Sequence, residues 1–375
     1  MALRRLRASL VAVVLALYLV SRLVTMVGAA LATLVVPGTT MASVLTQWDG
    51  DWYVEVVNEG YPSSVAVVDG RLEQNTTGFF PGYPLVVRAA NPVLPGGPDQ
   101  AAVLVALVLG ATATEGVALL AQALSDRATA ERAAALFCFF PGSIAFSLAY
   151  SEGLMLTAGA ACLLFLHRRQ WLAAGMAAAV ASAARPTGIV LAASCAWAGA
   201  MAIRRRREWR ALVAPLLAPA GMVAFFTFLW ARTGDAGFWR RTSEEAWRER
   251  RDFGANTLQG FWDFIVSPFD DADQFVLGLS LLFALAAVGC LVRARLPSYA
   301  NVYVAGLLAL PLLSAILGPR PRFVLAAFPL FIGLAVVARH RAFVPLLAAS
   351  AGLLPLVLVY YTSTFVAGAA GTVAP

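Results

Sequence analysis

Two aspartates lie between aromatic residues in the first connector of the chain. Asp49 and Asp51 alternate with Trp48, Gly50 and Trp52, shortly after the first long apolar run. A carboxylate can take the proton from a hydroxyl group while that hydroxyl attacks carbon, so either aspartate could act as a general base. Aspartate is also a good helix cap, and the residue pattern leaves the catalytic and the capping interpretations open.

Further charged residues stand next to the ends of other apolar runs. Glu152 begins one such run, Arg185 ends another, and Arg320 and Arg322 precede a third. A guanidinium group grips phosphate through two parallel hydrogen bonds, which makes the three arginines candidates for a phosphate site, with Arg88 as a fourth. Each arginine could instead extend its side chain toward water, and Glu152 could be a solvated helix end.

The composition places the chain in a membrane. Its 375 residues are 60% hydrophobic and only 13% charged, and the mean hydropathy is +0.75. A soluble domain is nearer half apolar and a quarter charged. All 28 basic residues are arginine and most lie in connectors, so the net charge of +7 indicates membrane orientation and no nucleic-acid partner.

Metal and disulfide chemistry have no sequence signal. No acids and histidines cluster at metal-ligand spacing, so we expect the chemistry to need neither a metal nor a cofactor. The four cysteines fall inside apolar segments and are predicted to be packing residues.

Apolar runs cut by charged connectors predict an all-α polytopic membrane protein, with about 10–11 transmembrane helices. The run from 79 to 94 is broken by three prolines and is predicted to be re-entrant or interfacial. The predicted spans are 8–36, 101–124, 133–150, 153–166, 171–184, 188–203, 211–231, 276–292, 299–317, 323–338 and 343–366.

Charge distribution predicts the orientation. With the first residues in the cytoplasm, alternate short connectors carry 16 of the 28 arginines, as the positive-inside rule requires. The last of these connectors contains Arg339 and Arg341. The N-terminus is therefore predicted to be cytoplasmic, and the chemistry to lie on the opposite face.

Two long connectors, residues 37–100 and 232–275, fall on that opposite face and hold most of the acids. In the first, the apolar spacing from Asp51 to Gly60 predicts a short amphipathic helix. In the second, mixed charge and tryptophans predict an amphipathic helix that either covers the site or lies solvated on the headgroups. Residues 1–375 are predicted to form one transmembrane domain that carries these two loops.

Several short motifs are spread along nearly the whole chain. They are Trp48-Asp49-Gly50 with Gly60-Tyr61-Pro62, Phe79-Phe80-Pro81-Gly82-Tyr83-Pro84, Phe139-Phe140-Pro141 through Tyr150-Ser151-Glu152, Arg185-Pro186-Thr187-Gly188, and Arg320-Pro321-Arg322-Phe323 with Phe328-Pro329. Through these motifs and their order, the chain resembles the PIG-V family of GT-C glycosyltransferases. Members of that family are polytopic mannosyltransferases that take sugar from a polyprenyl-phosphate carrier.

The resemblance implies a GT-C-like helix bundle with its active site in the first outer loop. The family's catalytic aspartate falls on Asp49, and Asp51 is the second catalytic candidate. Arg185, Arg320 and Arg322 would bind the donor phosphate. The remaining motif residues are assigned to substrate binding: Trp48, Trp52, Tyr61, Phe80, Tyr83, Tyr150 and Glu152.

The predicted function is an inverting glycosyltransferase, a mannosyltransferase of the bacterial plasma membrane that acts as a monomer. The donor would be polyprenyl-phosphate mannose, and the acceptor a glycolipid, glycan or protein. The same fold could instead use lipid-linked arabinose, galactose or glucose. A lipid flippase or transporter is a competing class, but charge gathers at one face and no repeat relates two halves of the chain.

Overall fold

The computed structural model describes residues 2–314, 318, 320–338 and 340–366, and these are mostly helical. Arg339 and Pro319, which belong to the predicted cytoplasmic connector and to the Arg320 turn, lie outside the described residues. The helices, in chain order, are α1 (Ala2–Val35), α2 (Met41–Thr46), α3 (Asp49–Glu59), α4 (Gly82–Ala90), α5 (Pro98–Leu124), α6 (Arg127–Phe139), α7 (Glu152–His167), α8 (Trp171–Ala184), α9 (Val190–Arg206), α10 (Val213–Leu217), α11 (Ala220–Thr233), α12 (Phe238–Arg241), α13 (Ala255–Val266), α14 (Ala272–Ala294), α15 (Ser298–Leu313), α16 (Pro321–Ala326), α17 (Pro329–Val337) and α18 (His340–Val366).

Six helical stretches are long and apolar enough to cross a membrane, judged by length and composition within the described residues. They are Leu10–Val35, Pro98–Leu124, Pro186–Arg206, Trp209–Thr233, Ala272–Ala294 and Ala342–Val366. Shorter apolar helices occupy Glu152–His167, Trp171–Ala184 and Ser298–Leu313. The multi-pass architecture expected from the hydropathy is therefore confirmed. The last three residues of the predicted span 299–317 lie outside the described residues.

Three predicted spans are interrupted within the described residues. The span 211–231 divides into α10 and α11 at residues 218–219. The run 133–150 leaves the α-helix after Phe139 and continues as a 3-10 helix over Pro141–Phe146. The run 323–338 is interrupted between α16 and α17, where Pro329 begins the second helix. Proline lacks the N–H that would continue the hydrogen-bond ladder and disfavours a helical residue before it, so each helix stops there.

The first long connector folds onto the helix bundle. Thr40 caps α2 through a reciprocal hydrogen-bond pair with Ser43, and α3 ends at Gly60, which has a φ of 81°. The Arg88 guanidinium donates to the carbonyl groups of Val56 and Val57 at 2.9 and 2.7 Å. The Val57 carbonyl lies in the last turn of α3, where helical partners are missing, whereas the Val56 carbonyl also accepts from the Gly60 N–H at 3.0 Å. Arg88 thus stabilises this helix end.

The rest of that connector contains a two-stranded hairpin, β1 (Val67–Val68) and β2 (Arg71–Leu72), a 3-10 turn at Thr76–Gly78, and α4 with a 3-10 turn at Asn91–Val93. The predicted re-entrant segment is thus the short helix α4, which buries Tyr83 and Val87. The second connector is divided: α12 continues into a π-helical turn at Thr242–Ala246, and α13 follows separately. The single amphipathic helix predicted there is wrong, because residues 247–254 are not helical.

The two connectors meet at one end of the bundle, which we call the site end. The hydroxyl groups of Thr77 and Thr242 lie 3.0 Å apart, and the Glu245 carboxylate accepts from the Leu72 backbone N–H at 3.2 Å. Both loops therefore cover the same end of the helices.

Small residues allow the helices to approach closely. A methyl group built on Gly221 of α11 would lie 2.1 Å from the carbonyl oxygen of Ala179 in α8, whereas no described atom lies within 4 Å of the same position at Gly289 in α14. Glycine is thus required where the backbones of α8 and α11 touch.

We expect Gly221→Ala to destabilise the protein by about 1–3 kcal/mol, because the added methyl group forces α8 and α11 apart. Gly289→Ala is the matched control and should be neutral or slightly stabilising, since alanine favours a helix. Thermal unfolding in detergent measures both variants. Equal melting temperatures for the two would contradict the close contact.

Candidate active site

Asp49 is presented by a turn of unusual backbone geometry. Trp48, the residue before α3, has φ 61° and ψ −122°, a conformation that normally requires glycine. Its indole N–H donates to the Tyr361 carbonyl at 3.3 Å, and its ring lies 5.2 Å from that of Phe365. The end of α18 therefore holds Trp48 in place, and Asp49 becomes the first residue of α3.

Two acids and two arginines meet beside this turn. The Asp49 carboxylate oxygen Oδ2 accepts from Nη1 of Arg322 at 2.5 Å and lies 4.0 Å from Nη2 of Arg185. Arg185 donates to Glu152 at 2.8 Å, and Arg322 lies 3.7 Å from the same carboxylate oxygen. The four formal charges sum to zero, so each guanidinium group stands between carboxylates.

This four-residue charge cluster is secluded from solvent. The side chains of Glu152 and Arg322 are 3% and 5% exposed, and those of Arg185 and Asp49 are 11% and 17% exposed. Charges at such depth must be paired, because removing one partner leaves the other charge buried without compensation. Oε2 of Glu152 and Nε of Arg322 have no hydrogen-bond partner among the described residues, so the cluster retains polar capacity.

A tyrosine and a serine support the cluster from behind. The Tyr53 hydroxyl, one turn along α3 from Asp49, lies 2.6 Å from Ser151 Oγ, which also accepts from Arg185 at 3.1 Å. Burial raises the pKa of Tyr53 to about 12, although the nearby Arg185 guanidinium opposes the shift. The phenol therefore stays protonated at neutral pH and orients Arg185 through Ser151.

The two predicted arginines of the last motif point to different partners. Arg322 joins the cluster and lies over the Tyr150 ring at 5.7 Å, whereas Arg320 makes a two-pronged ion pair with Asp273 at the start of α14, with one contact at 2.7 Å. In this structure Arg320 thus serves the junction between α14 and α16, next to the cluster and outside it.

Asp51 lies outside the cluster as well. Its side chain is exposed on α3. Partial loss of hydration against the protein surface raises the pKa of its carboxyl group, the Thr46 hydroxyl opposes this shift, and the Asp99 carboxylate adds to it. Neither aspartate makes the side-chain cap that was the alternative interpretation, because the cap position is Trp48.

The other predicted substrate residues have mixed placements. Tyr150 is buried beside Arg322, and Trp52 stacks on Phe79 at 5.9 Å near Asp49 on the same helix. Phe80 and Tyr83, like Tyr150, are 0% exposed. Both rings pack inside the bundle in this structure, and their substrate-binding role stays a prediction.

Tyr61 is half-buried and packs against α11. Its hydroxyl donates to the Phe79 carbonyl at 2.8 Å, and its ring contacts Phe225 at 5.3 Å. These contacts tie the first connector to α11, and a substrate-binding role of Tyr61 stays a prediction.

The sequence interpretation missed Ser151 and Asp273. Ser151 directly precedes Glu152 in the motif. A hydroxyl group next to a charged residue was the signal that could have pointed to it. Asp273 offered no local signal, because only folding brings it to Arg320. Within the described part of the chain, no group of three or more histidine, cysteine or acidic side chains could hold a metal ion.

Comparison with known proteins bears on the fold. No family model matches the chain. Two crystal structures of ArnT from Cupriavidus metallidurans, one in the apo state and one bound to undecaprenyl phosphate, have TM-scores of 0.53 and 0.52 and are each 16% identical to this chain. The chain has a GT-C-type fold. The matched regions cover 93% and 91% of this chain but only 63% and 62% of ArnT.

A sequence relative adds a second comparison. Over 120 residues the chain is 32% identical to GPI mannosyltransferase 2 from Drosophila pseudoobscura pseudoobscura, a match that covers 29% of this chain and 24% of that protein. The chain thus spans less than two thirds of each of these proteins. Membership of the PIG-V family and a bacterial origin stay predictions.

The strained turn at Trp48 can be tested by two substitutions. Both Trp48→Gly and Trp48→Ala remove the indole, but only glycine adopts this backbone conformation without strain. We expect the glycine variant to be more stable than the alanine variant by about 1–3 kcal/mol. Thermal unfolding of the two variants measures the difference. An alanine variant as stable as the glycine variant would refute the strained turn.

The raised pKa of Asp51 gives a pH prediction. A raised pKa means that the folded state favours the neutral form of Asp51. The folded protein is therefore stabilised at a pH below the pKa that Asp51 has in the unfolded chain, and this stabilisation is lost as the pH rises through the higher pKa of the folded state. We therefore expect Asp51→Asn to be more stable than the parent at pH 7 and equally stable at pH 3. Asp69→Asn, in the exposed hairpin turn, is the control. Destabilisation of Asp51→Asn at pH 7 would contradict the assignment.

Proposed function

We propose that this protein is a membrane glycosyltransferase that transfers mannose from a polyprenyl-phosphate carrier to an acceptor hydroxyl, with inversion at the sugar carbon. The observation that carries the proposal is the Asp49 carboxylate, 2.5 Å from Arg322 within a buried cluster of two acids and two arginines. ArnT, which has the same fold, has been solved with undecaprenyl phosphate bound. A lipid phosphate is therefore a ligand that this fold accommodates.

The cluster contains the groups that such a transfer needs. The acceptor oxygen forms a bond to the anomeric carbon of the sugar while its proton passes to Asp49. The bond between that carbon and the phosphate oxygen breaks, and the oxygen keeps the electron pair. The lipid phosphate that leaves gains a negative charge, which the guanidinium groups of Arg322 and Arg185 stabilise. One direct displacement inverts the configuration of the sugar carbon.

The pairing of charges in the cluster implies that the donor binds before the acceptor loses its proton. Arg322 occupies Oδ2 of Asp49, an oxygen that would otherwise be open to the acceptor's proton. A donor phosphate competes for the same guanidinium, so the Arg322–Asp49 contact loosens when the donor binds. Glu152 keeps Arg185 and Arg322 in position during this exchange, because its carboxylate lies 2.8 and 3.7 Å from them. Donor binding thus opens Asp49 to the acceptor hydroxyl.

The choice of sugar rests on the sequence relative, whose name is GPI mannosyltransferase 2. The acceptor hydroxyl belongs to a glycolipid, a glycan or a protein. With the N-terminus in the cytoplasm, the site end faces the extracytoplasmic side, as the arginine distribution predicts. Metal independence stays a prediction, and transfer in the presence of a chelator checks it.

The assay uses purified protein in detergent, labelled polyprenyl-phosphate mannose and membrane extracts as the acceptor source. We expect labelled product, and about a 100- to 10,000-fold loss of transfer in Asp49→Asn with folding intact. The control is Asp99→Asn, an aspartate in the first turn of α5 in the same connector, which should transfer at the parent rate. Full activity of Asp49→Asn would discard the base assignment. A lipid or sugar carrier moves its substrate across a membrane and forms no transfer product, and detergent removes any gradient across that membrane. Absence of product with every lipid-linked sugar tested would therefore favour a carrier.

A further inference from the structure

Arg22 is an arginine in the middle of an apolar helix. It lies halfway along the 26-residue stretch Leu10–Val35, which is long enough to cross a membrane, and it is only 5% exposed. A charged side chain at that depth is expensive unless protein groups satisfy it. No carboxylate pairs with Arg22 among the described residues, so another kind of partner must do so.

The hydrogen-bond partners of Arg22 are buried carbonyl and hydroxyl groups, most of them at the point where α6 is interrupted. Nη1 donates to the Ser143 carbonyl at 2.6 Å and to Ser147 Oγ at 3.0 Å. Nη2 donates to the Cys138 carbonyl and to Ser143 Oγ, both at 2.9 Å. Nη2 and Nε also contact Ser21 Oγ at 3.2 and 3.3 Å. Among these acceptors, the Cys138 carbonyl belongs to the last turn of α6 and also accepts from Ser143 Oγ at 2.7 Å, whereas Ser143 and Ser147 belong to the segment after α6. The planar guanidinium thus joins the end of α6 to the segment that follows it.

The segment held by Arg22 leads directly to the charge cluster. After the 3-10 helix at Pro141–Phe146, the chain turns through Ser151 into Glu152 at the start of α7. A methyl group built on Gly142 would lie 2.3 Å from the Pro321 carbonyl and 2.9 Å from the Arg322 backbone nitrogen. The segment therefore touches the backbone of one cluster residue and carries another.

We infer that Arg22 is a positioning residue for the active site: by capping the interrupted α6 inside the helix bundle, it fixes residues 140–152 against α16 so that Glu152 and Arg322 converge on Asp49. Arg22 itself contacts none of the four cluster residues through its hydrogen bonds. The activity part of this inference rests on the proposed function, whereas the structural part does not.

The test is Arg22→Lys in the full-length protein, with hydrogen exchange and transfer measured side by side. Lysine keeps the charge, but its compact ammonium cannot reach the Cys138, Ser143 and Ser147 acceptors together. We expect amide exchange to accelerate about tenfold within residues 140–152 and to stay unchanged in α8 and α9. We expect kcat to fall about 10- to 100-fold, with KM for polyprenyl-phosphate mannose within about threefold of the parent value.

The matched control is Arg132→Lys, in the N-terminal half of α6. Arg132 also donates to a backbone carbonyl, that of Ala335 at 3.0 Å, and this variant should keep the parent kcat. Ser147→Ala removes a single acceptor and should give the same local pattern to a smaller degree. This second variant decides the matter if Arg22→Lys fails to fold.

The inference is overturned if amide exchange at residues 140–152 in Arg22→Lys is as slow as in the parent protein. It is also overturned if exchange there is faster but kcat equals the parent value. The same holds if Ser147→Ala accelerates exchange in all helices and not only at residues 140–152. If the parent protein transfers no sugar while exchange in Arg22→Lys rises only at residues 140–152, the proposed function fails and the capping role of Arg22 stands.

Discussion

The site depends on the pairing of opposite charges inside an apolar helix bundle. Asp49, Glu152, Arg185 and Arg322 come from four distant parts of the chain, and each would be unfavourable at its depth without the others. Arg322 and Arg185 each contact both acids, so the cluster depends on the position of both arginines. The same pairing makes the site responsive to a phosphate anion, since an anion can replace a carboxylate as the partner of a guanidinium group.

Interrupted helices bring these charges together. A continuous α-helix through residues 133–150 would bury its backbone hydrogen bonds but would carry Glu152 elsewhere. The stop at Phe139 releases a short segment that turns toward the start of α16, with Gly142 against Pro321. Backbone groups freed in an apolar environment need partners, and Arg22 supplies them. The arginine within α1 is therefore the counterpart of a broken helix, which explains why no acid accompanies it.

The strained backbone at Trp48 also helps to position the cluster. An aspartate in the first position of a helix faces in a direction set by the residue before it, and Trp48 adopts a conformation that tryptophan rarely takes. Contacts with Tyr361 and Phe365 in α18 compensate for this strain. Opposite ends of the chain, its first connector and its last helix, thus jointly orient Asp49.

Sequence by itself determined the polytopic helical architecture, because apolar runs of bilayer length can satisfy their backbone only as helices. It also predicted a short helix from Asp51 to Gly60, which in the structure begins at Asp49, and brought Asp49, Glu152, Arg185 and Arg322 forward as candidates by charge and position. Tertiary structure alone decided that these four meet while Arg320 turns to Asp273, Asp51 is exposed, and the rings of Phe80 and Tyr83 are buried. Residue type limits what a side chain can do, but which groups share a buried space depends on contacts such as that of Asp49 with Arg322, which lie 273 positions apart in the chain, and no local pattern encodes such contacts.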